Sequence, residues 1–398
     1  MIDAVNNEFE AENTTGTHSD VLVVGAGIIG LAHAARALDR GLTVTVIDRD
    51  HRAVGASVRN FGHCCITAQS GELYDLAQGG RELWLHYAEQ AGFWAAETGA
   101  VVVARTQTEL DVLTELAAVR EPGQIVLLNP DQLAQRLGRQ DASGLVGGAW
   151  LRDDLRVDPR TTVARLAAWV DEQPAGRVHW NTSALQVQAG TTRRAAVRTS
   201  RGTYEADEVF ICVGHDVDYL FPRLAETHRI QRCALQMARV KAPGQLELTP
   251  AVLTASSMLR YHAFTEVPSA ARLREELGAS HPQLLEIDAN LMFTQRPDGS
   301  VLMGDSHSYA ATQDPFLAET TSQTLLEAGG QVLGTEALQV VERWQGVYAS
   351  SELGPLLVAP IREGVQVVSV TAGVGMTVCF GLAERNTAHL PVRELATR

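Results

Sequence analysis

The sequence predicts an α/β unit assembled from separated segments and an α+β unit built on a mainly antiparallel sheet. Three observations carry that expectation. Residues 21–50 read as strand, glycine turn, helix and strand without interruption; a second strand, glycine pair and helix stands near the C-terminus; and residues 228–345 hold strand-like runs with hairpin punctuation.

Residues 1–18 are acidic and polar, with neither a basic start nor an apolar core, and are expected to be a disordered leader rather than a signal peptide. Residues 21–24 are all apolar, as a parallel strand buried on both faces requires. Gly25, Gly27 and Gly30 then give G-x-G-x-x-G spacing. Gly25 permits the tight turn, Gly27 allows close approach of a pyrophosphate, and Gly30 lets the new helix pack on the strand. The N–H groups at the helix start, near Ile28 and Ile29, favour an anion. Gly41 ends that helix, residues 43–47 form the second strand, and Asp48 stands where a carboxylate accepts from a ribose hydroxyl, with Arg49 beside it. The pattern predicts a Rossmann-like dinucleotide site.

A small-residue loop, 51–74, leads into a helix-like stretch at 73–97. Two further helical patterns follow between 101 and 140, the second opened by Asn129 and Pro130. Another helix begins behind Pro159, and short strands in meander pattern run to the apolar strand at 209–213 and Gly214. Further strands are expected around 233–242, 251–264 and 290–306, the last folded at Pro297, Asp298 and Gly299. Helical sequence returns at residues 321–333.

The chain has 398 residues, more than a single core usually sustains. Lys plus Arg number 33 against 47 Asp plus Glu, a net charge of −14 that argues against nucleic acid or an anionic membrane as partner. Five cysteines without C-x-x-C spacing fit neither a disulfide framework nor structural zinc, so no metal is expected and a reducing, cytoplasmic setting is. No apolar run approaches the ~20 residues of a membrane span.

The glycine fingerprint, the GAS-x-RN loop after the second strand, the ICVG strand and the C-terminal strand-Gly-x-Gly-helix together resemble the FAD-dependent oxidoreductases related to D-amino-acid, glycine and sarcosine oxidases. The resemblance covers residues 20–390 and implies a D-amino-acid oxidase-like architecture. The FAD-binding domain would comprise 19–90, 156–225 and 341–398, with a helical insertion at 91–155 and an antiparallel substrate domain at 226–340. It implies noncovalent FAD held by Gly25, Gly27, Gly30 and Asp48 at the ADP half. Ser57, Arg59, Asn60 and Gly62 would pass the pyrophosphate and flavin, Ala184 would meet the adenine, and Gly214 would lie in a flanking strand. Gly373, Gly375 and Met376 would point a helix N-terminus at the flavin, where negative charge collects on reduction.

Departures from the family pattern bear on substrate. The W-x-G motif (Trp344, Gly346) is followed by Tyr348 where amino-acid oxidases of the family carry an arginine clamp, and the sarcosine-type clamp lysine falls at Thr377. The lysine tied to oxygen activation falls at Leu302, and the cysteine of covalent attachment at Gly346. His63, beside the flavin loop, is the alternative attachment point. The runs SVRNFG (57–62) and RCALQM (232–237) resemble the subgroup associated with aminophosphonate breakdown. A phosphonate needs several donors, best from arginine or lysine. Arg260, Tyr261 and His262, in a strand of the second domain, are the candidates, Arg260 and His262 sharing one face, with His63 and Tyr348 closing the pocket.

The expected reaction is oxidation of a small-molecule amine by hydride transfer to the flavin, giving an imine and then a carbonyl product. Dioxygen or another electron acceptor completes the cycle, in a monomer or homodimer. Glycine- or sarcosine-type amino-acid oxidation, an FAD monooxygenase and a hydroxyacid dehydrogenase are the alternatives. Bland readings stand beside these: His63 as a satisfied core histidine, the face carrying Arg260 and His262 as solvent-facing, and His307, after the hairpin strand, as a loop cap, while adjacent Cys64 and Cys65 suit packing better than redox chemistry.

Overall fold

The computed structural model describes residues 17–244, 246–335 and 337–393. Most of the expected leader lies outside the described residues. Its last two positions, Thr17 and His18, are not a tail but open the first strand, Thr17–Val24, paired in parallel to Tyr204 and Glu205.

One eight-stranded sheet is centred on that strand. Gly202–Ile211 lies on one side and Val44–Ile47 on the other, followed outward by Gly176–His179, all parallel. Val365–Val370, from the far end of the chain, joins in parallel to residues 209–211, so the two glycine turns leave the same edge of one sheet. Their helices, Ile28–Asp39 and Gly375–Thr387, pack on each other. Close packing has a local cause at Gly30, where a Cβ would stand 1.9 Å from the Gly25 carbonyl oxygen. The long helix runs Gly71–Ala91 rather than to residue 97, because Gly92 adopts a left-handed conformation (φ 65°) and ends it.

A nine-stranded sheet forms the second layer system. Gln231–Val240 is its hub, paired antiparallel to Val301–Gly304, Ser308–Ala310 and the long strand Val340–Ser350. Met292–Gln295 turns back through residues 296–300 to Val301–Gly304, with Gly299 at φ 83° completing the expected hairpin. The stretch expected as a helical insertion at 91–155 instead gives this sheet three strands, Ala100–Ala104, Ile125–Leu128 and Gly147–Leu151. Its helices Gln107–Val119 and Pro130–Arg136 do form, the latter with the Asn129 capping box. All five residues of Ala100–Ala104 are buried because both faces of the sheet are covered: Ala100, Val102 and Ala104 join one cluster and Val101 and Val103 another.

Arg260 and His262 are not on a strand. The strand Ala251–Leu253 stops at Thr254, whose capping box with Ser257 starts a short helix, Ala255–Met258, and a second, His262–Thr265, follows. Local hydroxyl bonding to the backbone outweighs the apolar alternation here: Thr254 and Ser257 both donate to the Leu291 carbonyl. Gly214 likewise lies past its strand, at φ 61°, opening a short 3-10 turn. An isolated bridge between Ser350 and Ala372 joins the long strand of the second sheet to the C-terminal glycine turn. No helix among the described residues is long and apolar enough to cross a membrane.

Candidate active site

Both glycine turns open into one cavity of about 660 Å³ that runs between the two sheets. At one end Gly25, at φ 107°, turns so tightly that a Cβ would meet the Cys212 carbonyl at 2.5 Å. Gly27 precedes the helix, and Ile28 N–H donates to Ser57 Oγ at 2.9 Å, so the second loop folds over the first turn. Asp48 accepts from Ala26 N–H at 2.7 Å and from Asp50 N–H at 3.0 Å. Burial raises the pKa of that carboxyl, and the two N–H groups oppose the rise. Arg49 reaches Asp216 at 2.7 Å and lines the same end, as do Ala184 and Gly214.

The middle of the cavity is floored by the loop at 56–61. Asn60 holds it in shape by donating to the Ala56 and Ser57 carbonyls while accepting from Gly62 N–H at 2.8 Å. Arg59 donates to the Gln345 carbonyl and Trp344 Nε1 donates back to the Arg59 carbonyl, both at 3.1 Å. The loop is therefore tied to the long strand that carries Tyr348. Ile28, Ile29, Ser57, Arg59 and Asn60 all line the cavity.

At the far end stands the C-terminal turn. Gly373 is at φ 72°, and a Cβ there would lie 2.8 Å from the Tyr348 ring; Gly375 and Met376 begin the helix whose N-terminus faces the cavity. Above the turn, Arg260 donates to Tyr348 Oη at 2.8 Å, to Tyr309 Oη at 3.2 Å and to Asp288 at 3.3 Å. Burial disfavours the Arg260 charge, but Tyr348, Tyr309 and Asp305 hold its pKa up. Burial likewise raises the Tyr348 phenol well above its ordinary value.

Four expected site residues do not line the cavity. Gly30 and Gly62 serve packing: at Gly62 a Cβ would meet the Val157 carbonyl at 2.0 Å. His63 points into the core, where Nε2 meets Asp154 at 2.8 Å with side chains 1% and 0% exposed. His262 is exposed at the start of its short helix. Thr377 is no clamp either: its buried hydroxyl accepts from Cys65 N–H at 3.0 Å. Leu302 is buried in the second sheet away from the lining, so its identity says nothing about the acceptor. A cation does reach the Tyr348 phenol: Arg260 donates to it from a different element.

Polar lining residues that the sequence did not assign to the site include Asn290, Asp305 and His307, the last of which reads there as a loop cap. Burial pushes the Asp305 carboxyl up to about 7, while Arg260 opposes the rise. His307 Nδ1 lies 2.8 Å from the Asp288 carbonyl and therefore carries its proton. The run GDSHS, polar residues directly after a buried strand, was the available signal. Among the described residues one group has metal-ligand proximity, His63, Cys65 and Asp154, fully inside the core.

A glycine cradle at one end, a helix N-terminus at the other and a polar chamber above it define a dinucleotide-dependent oxidoreductase. The glycines fit an extended dinucleotide: Gly27 and Gly375 both line the cavity, and a Cβ at Gly27 would crowd Ser57 Oγ, of another lining residue, at 3.1 Å. The chain belongs to the FAD dependent oxidoreductase family, whose model matches residues 20–388. It is 30% identical over 240 residues to the bifunctional protein ThiO/ThiG of Synechocystis, covering 56% of this chain and 34% of that protein, so the match spans about a third of the relative. The glycine oxidase structure from Geobacillus kaustophilus has a TM-score of 0.73 at 20% identity, covering 95% of this chain and 97% of that one. The L-alpha-glycerophosphate oxidase of Mycoplasma pneumoniae, solved with FAD bound, has a TM-score of 0.72 at 16% identity, covering 96% and 97%. These structures share the fold.

Proposed function

We propose that this protein oxidises a small amine carrying a compact anionic group, with 2-aminoethylphosphonate or an N-alkyl derivative as the leading substrate. The observation that carries the reading is the Arg260–Tyr348 contact at 2.8 Å, which sets a guanidinium over the turn at Gly373. FAD, when bound, supplies the acceptor for the hydride that leaves the substrate's α-carbon. Gly25, Gly27, Asp48 and Ala184 would hold its adenosine half, and Gly373, Gly375 and Met376 the reactive half. Attachment would be noncovalent: Gly346 has no nucleophile, and His63 is turned into the core toward Asp154.

Arg260 would anchor the anion and so orient the amine, which is catalysis by positioning. Its planar donors, with the Tyr348 hydroxyl beside them, suit a three-oxygen anion. The resemblance of SVRNFG and RCALQM to the aminophosphonate subgroup supports the same choice. The amine nitrogen's lone pair becomes the C=N bond as the hydride departs, and water then hydrolyses the imine to a carbonyl compound and the released amine. A carboxylate would meet the same guanidinium, so amino acids are the second reading.

The test is an anaerobic panel of aminophosphonates, N-methyl amines and amino acids, followed by loss of the flavin's visible absorbance. Fastest bleaching by an aminophosphonate is expected. Faster bleaching by glycine or D-alanine overturns the phosphonate, and bleaching only by NADPH moves the protein to the monooxygenases. Admitting air, with and without a carrier dye, then separates dioxygen from another acceptor.

A further inference from the structure

We propose that Asp305 is the base that takes a proton from the substrate's ammonium, with the side-chain oxygen of Asn290 steering the same nitrogen. The inference rests on the amine-oxidation reading above. Asn290 Oδ1 and Asp305 Oδ1 are buried, have no hydrogen-bond partner, and belong to residues that line the cavity. A buried acceptor without a donor is costly, and native structures retain one chiefly where a ligand or water completes it. Two such acceptors side by side call for a donor with more than one N–H.

Their placement is fixed by backbone pairing. Asn290 N–H donates to the Asp305 carbonyl at 2.8 Å and Asp305 N–H donates to the Asn290 carbonyl at 3.0 Å, so the two side chains leave one rung of paired chain. Arg260, which acts electrostatically on Asp305, supplies positive charge in the same chamber. The chamber therefore offers a cation for an anionic group and paired acceptors for an ammonium, which is the pattern of a zwitterion.

The groups acting on Asp305 are Arg260 and Tyr261 from the turn between the short helices, Asp288 and Asn290 from the segment before the hairpin, His307 beyond it, and Cys233 from the hub strand. Burial, the largest influence, and Asp288 favour the acid, while Arg260, a backbone N–H and the Asn290 side chain favour the carboxylate, leaving the group at about 7. A base works best near the ambient pH. The step balances: an ammonium and a carboxylate become a neutral amine and a carboxylic acid, and the freed lone pair is the one that forms the C=N bond. His307 Nε2 lies 3.9 Å from Asp305 Oδ1 with its lone pair free, because Nδ1 holds the proton. Burial and Arg260 keep that imidazole neutral, so its free lone pair faces the protonated Asp305 without taking the proton, which leaves to solvent when the site resets.

The test compares FAD-loaded wild type, Asp305→Asn and Asn290→Leu in anaerobic rapid mixing with 2-aminoethylphosphonate, from about pH 6 to about pH 10. Wild-type reduction should rise with pH and level off above about 7, as Asp305 loses its proton. Asp305→Asn should lose that step, fall roughly 10²–10⁴-fold at neutral pH, and recover toward wild type near pH ~10, where the free amine appears unaided. Asn290→Leu should keep the pH step and raise KM. Calorimetric binding adds a readout without turnover: wild type should prefer 2-aminoethylphosphonate over 2-hydroxyethylphosphonate, and Asp305→Asn should not. A wild type reduced by amines whose Asp305→Asn form keeps its rate and pH profile overturns the base alone. A wild-type flavin that no amine reduces overturns both the base and the reading beneath it.

Discussion

Replacing Arg260 with methionine tests the proposed substrate anchor, because methionine keeps much of the apolar stem and removes the charge. The guanidinium makes contacts at 2.8, 3.2 and 3.3 Å to Tyr348, Tyr309 and Asp288. Asp288 is 55% exposed and Tyr309 is 45% exposed, so water replaces much of what those two lose. The main loss falls on the substrate. A hydrogen bond to a charged group contributes about 1.5–3 kcal/mol, which is roughly ten- to a hundredfold in affinity for each bond made. KM for 2-aminoethylphosphonate should therefore rise by at least about tenfold, whereas a neutral primary amine of similar size should be little affected. A second effect has a definite sign. The Arg260 charge holds the Asp305 pKa down against burial, so removing it lets that pKa climb above about 7, and the rising limb of the pH–rate profile should move to higher pH. The assay is anaerobic flavin reduction across pH with the charged and the neutral amine. Equal losses for both, or no loss for either, would refute the anchoring role.

Gly30→Ala should abolish stable FAD binding, because its Cβ would lie 1.9 Å from the Gly25 carbonyl and the turn must open; the flavin-to-protein ratio after purification measures it. His63→Phe should destabilise the fold by roughly 1–3 kcal/mol by leaving Asp154 Oδ2 buried without its hydrogen-bond partner, while Thr67 N–H still holds Oδ1, yet leave the ranking of amines unchanged. Denaturant unfolding and the substrate panel read the two halves of that claim, and a changed ranking would return His63 to the site. All five cysteines are buried, and burial raises the thiol pKa at each, so a thiol reagent should label none in the native protein and all five after unfolding.

Much of the glycine-turn end of the cavity was legible in sequence order. Gly25, Gly27 and Asp48 are constrained by short-range geometry, a turn and the strand after the next helix, and short-range geometry leaves a fixed spacing. The end that holds Arg260 was less legible. Residues 251–264 alternate like a strand, but hydroxyl groups at Thr254 and Ser257 find the Leu291 carbonyl across the fold, and two short helices result. That moved His262 to the surface while leaving Arg260 in the cavity. The segment 91–155 read as helical because its helices are amphipathic and its strands are short. Only the neighbours it meets, such as Leu253 beside Val102, turn those runs into a sheet.

By itself the sequence determined that two glycine turns would each launch a helix from a buried strand, since no other residue tolerates the backbone at Gly25 and Gly373 without strain. What the folded chain alone decided is which distant side chains share a chamber. Tyr348 meets Arg260 across 88 positions, and Asn290 and Asp305 face the same space because backbone pairing brings their two segments together. Contacts of that range depend on how the two sheets pack against each other, and packing is a property of the whole core rather than of any run of neighbouring residues.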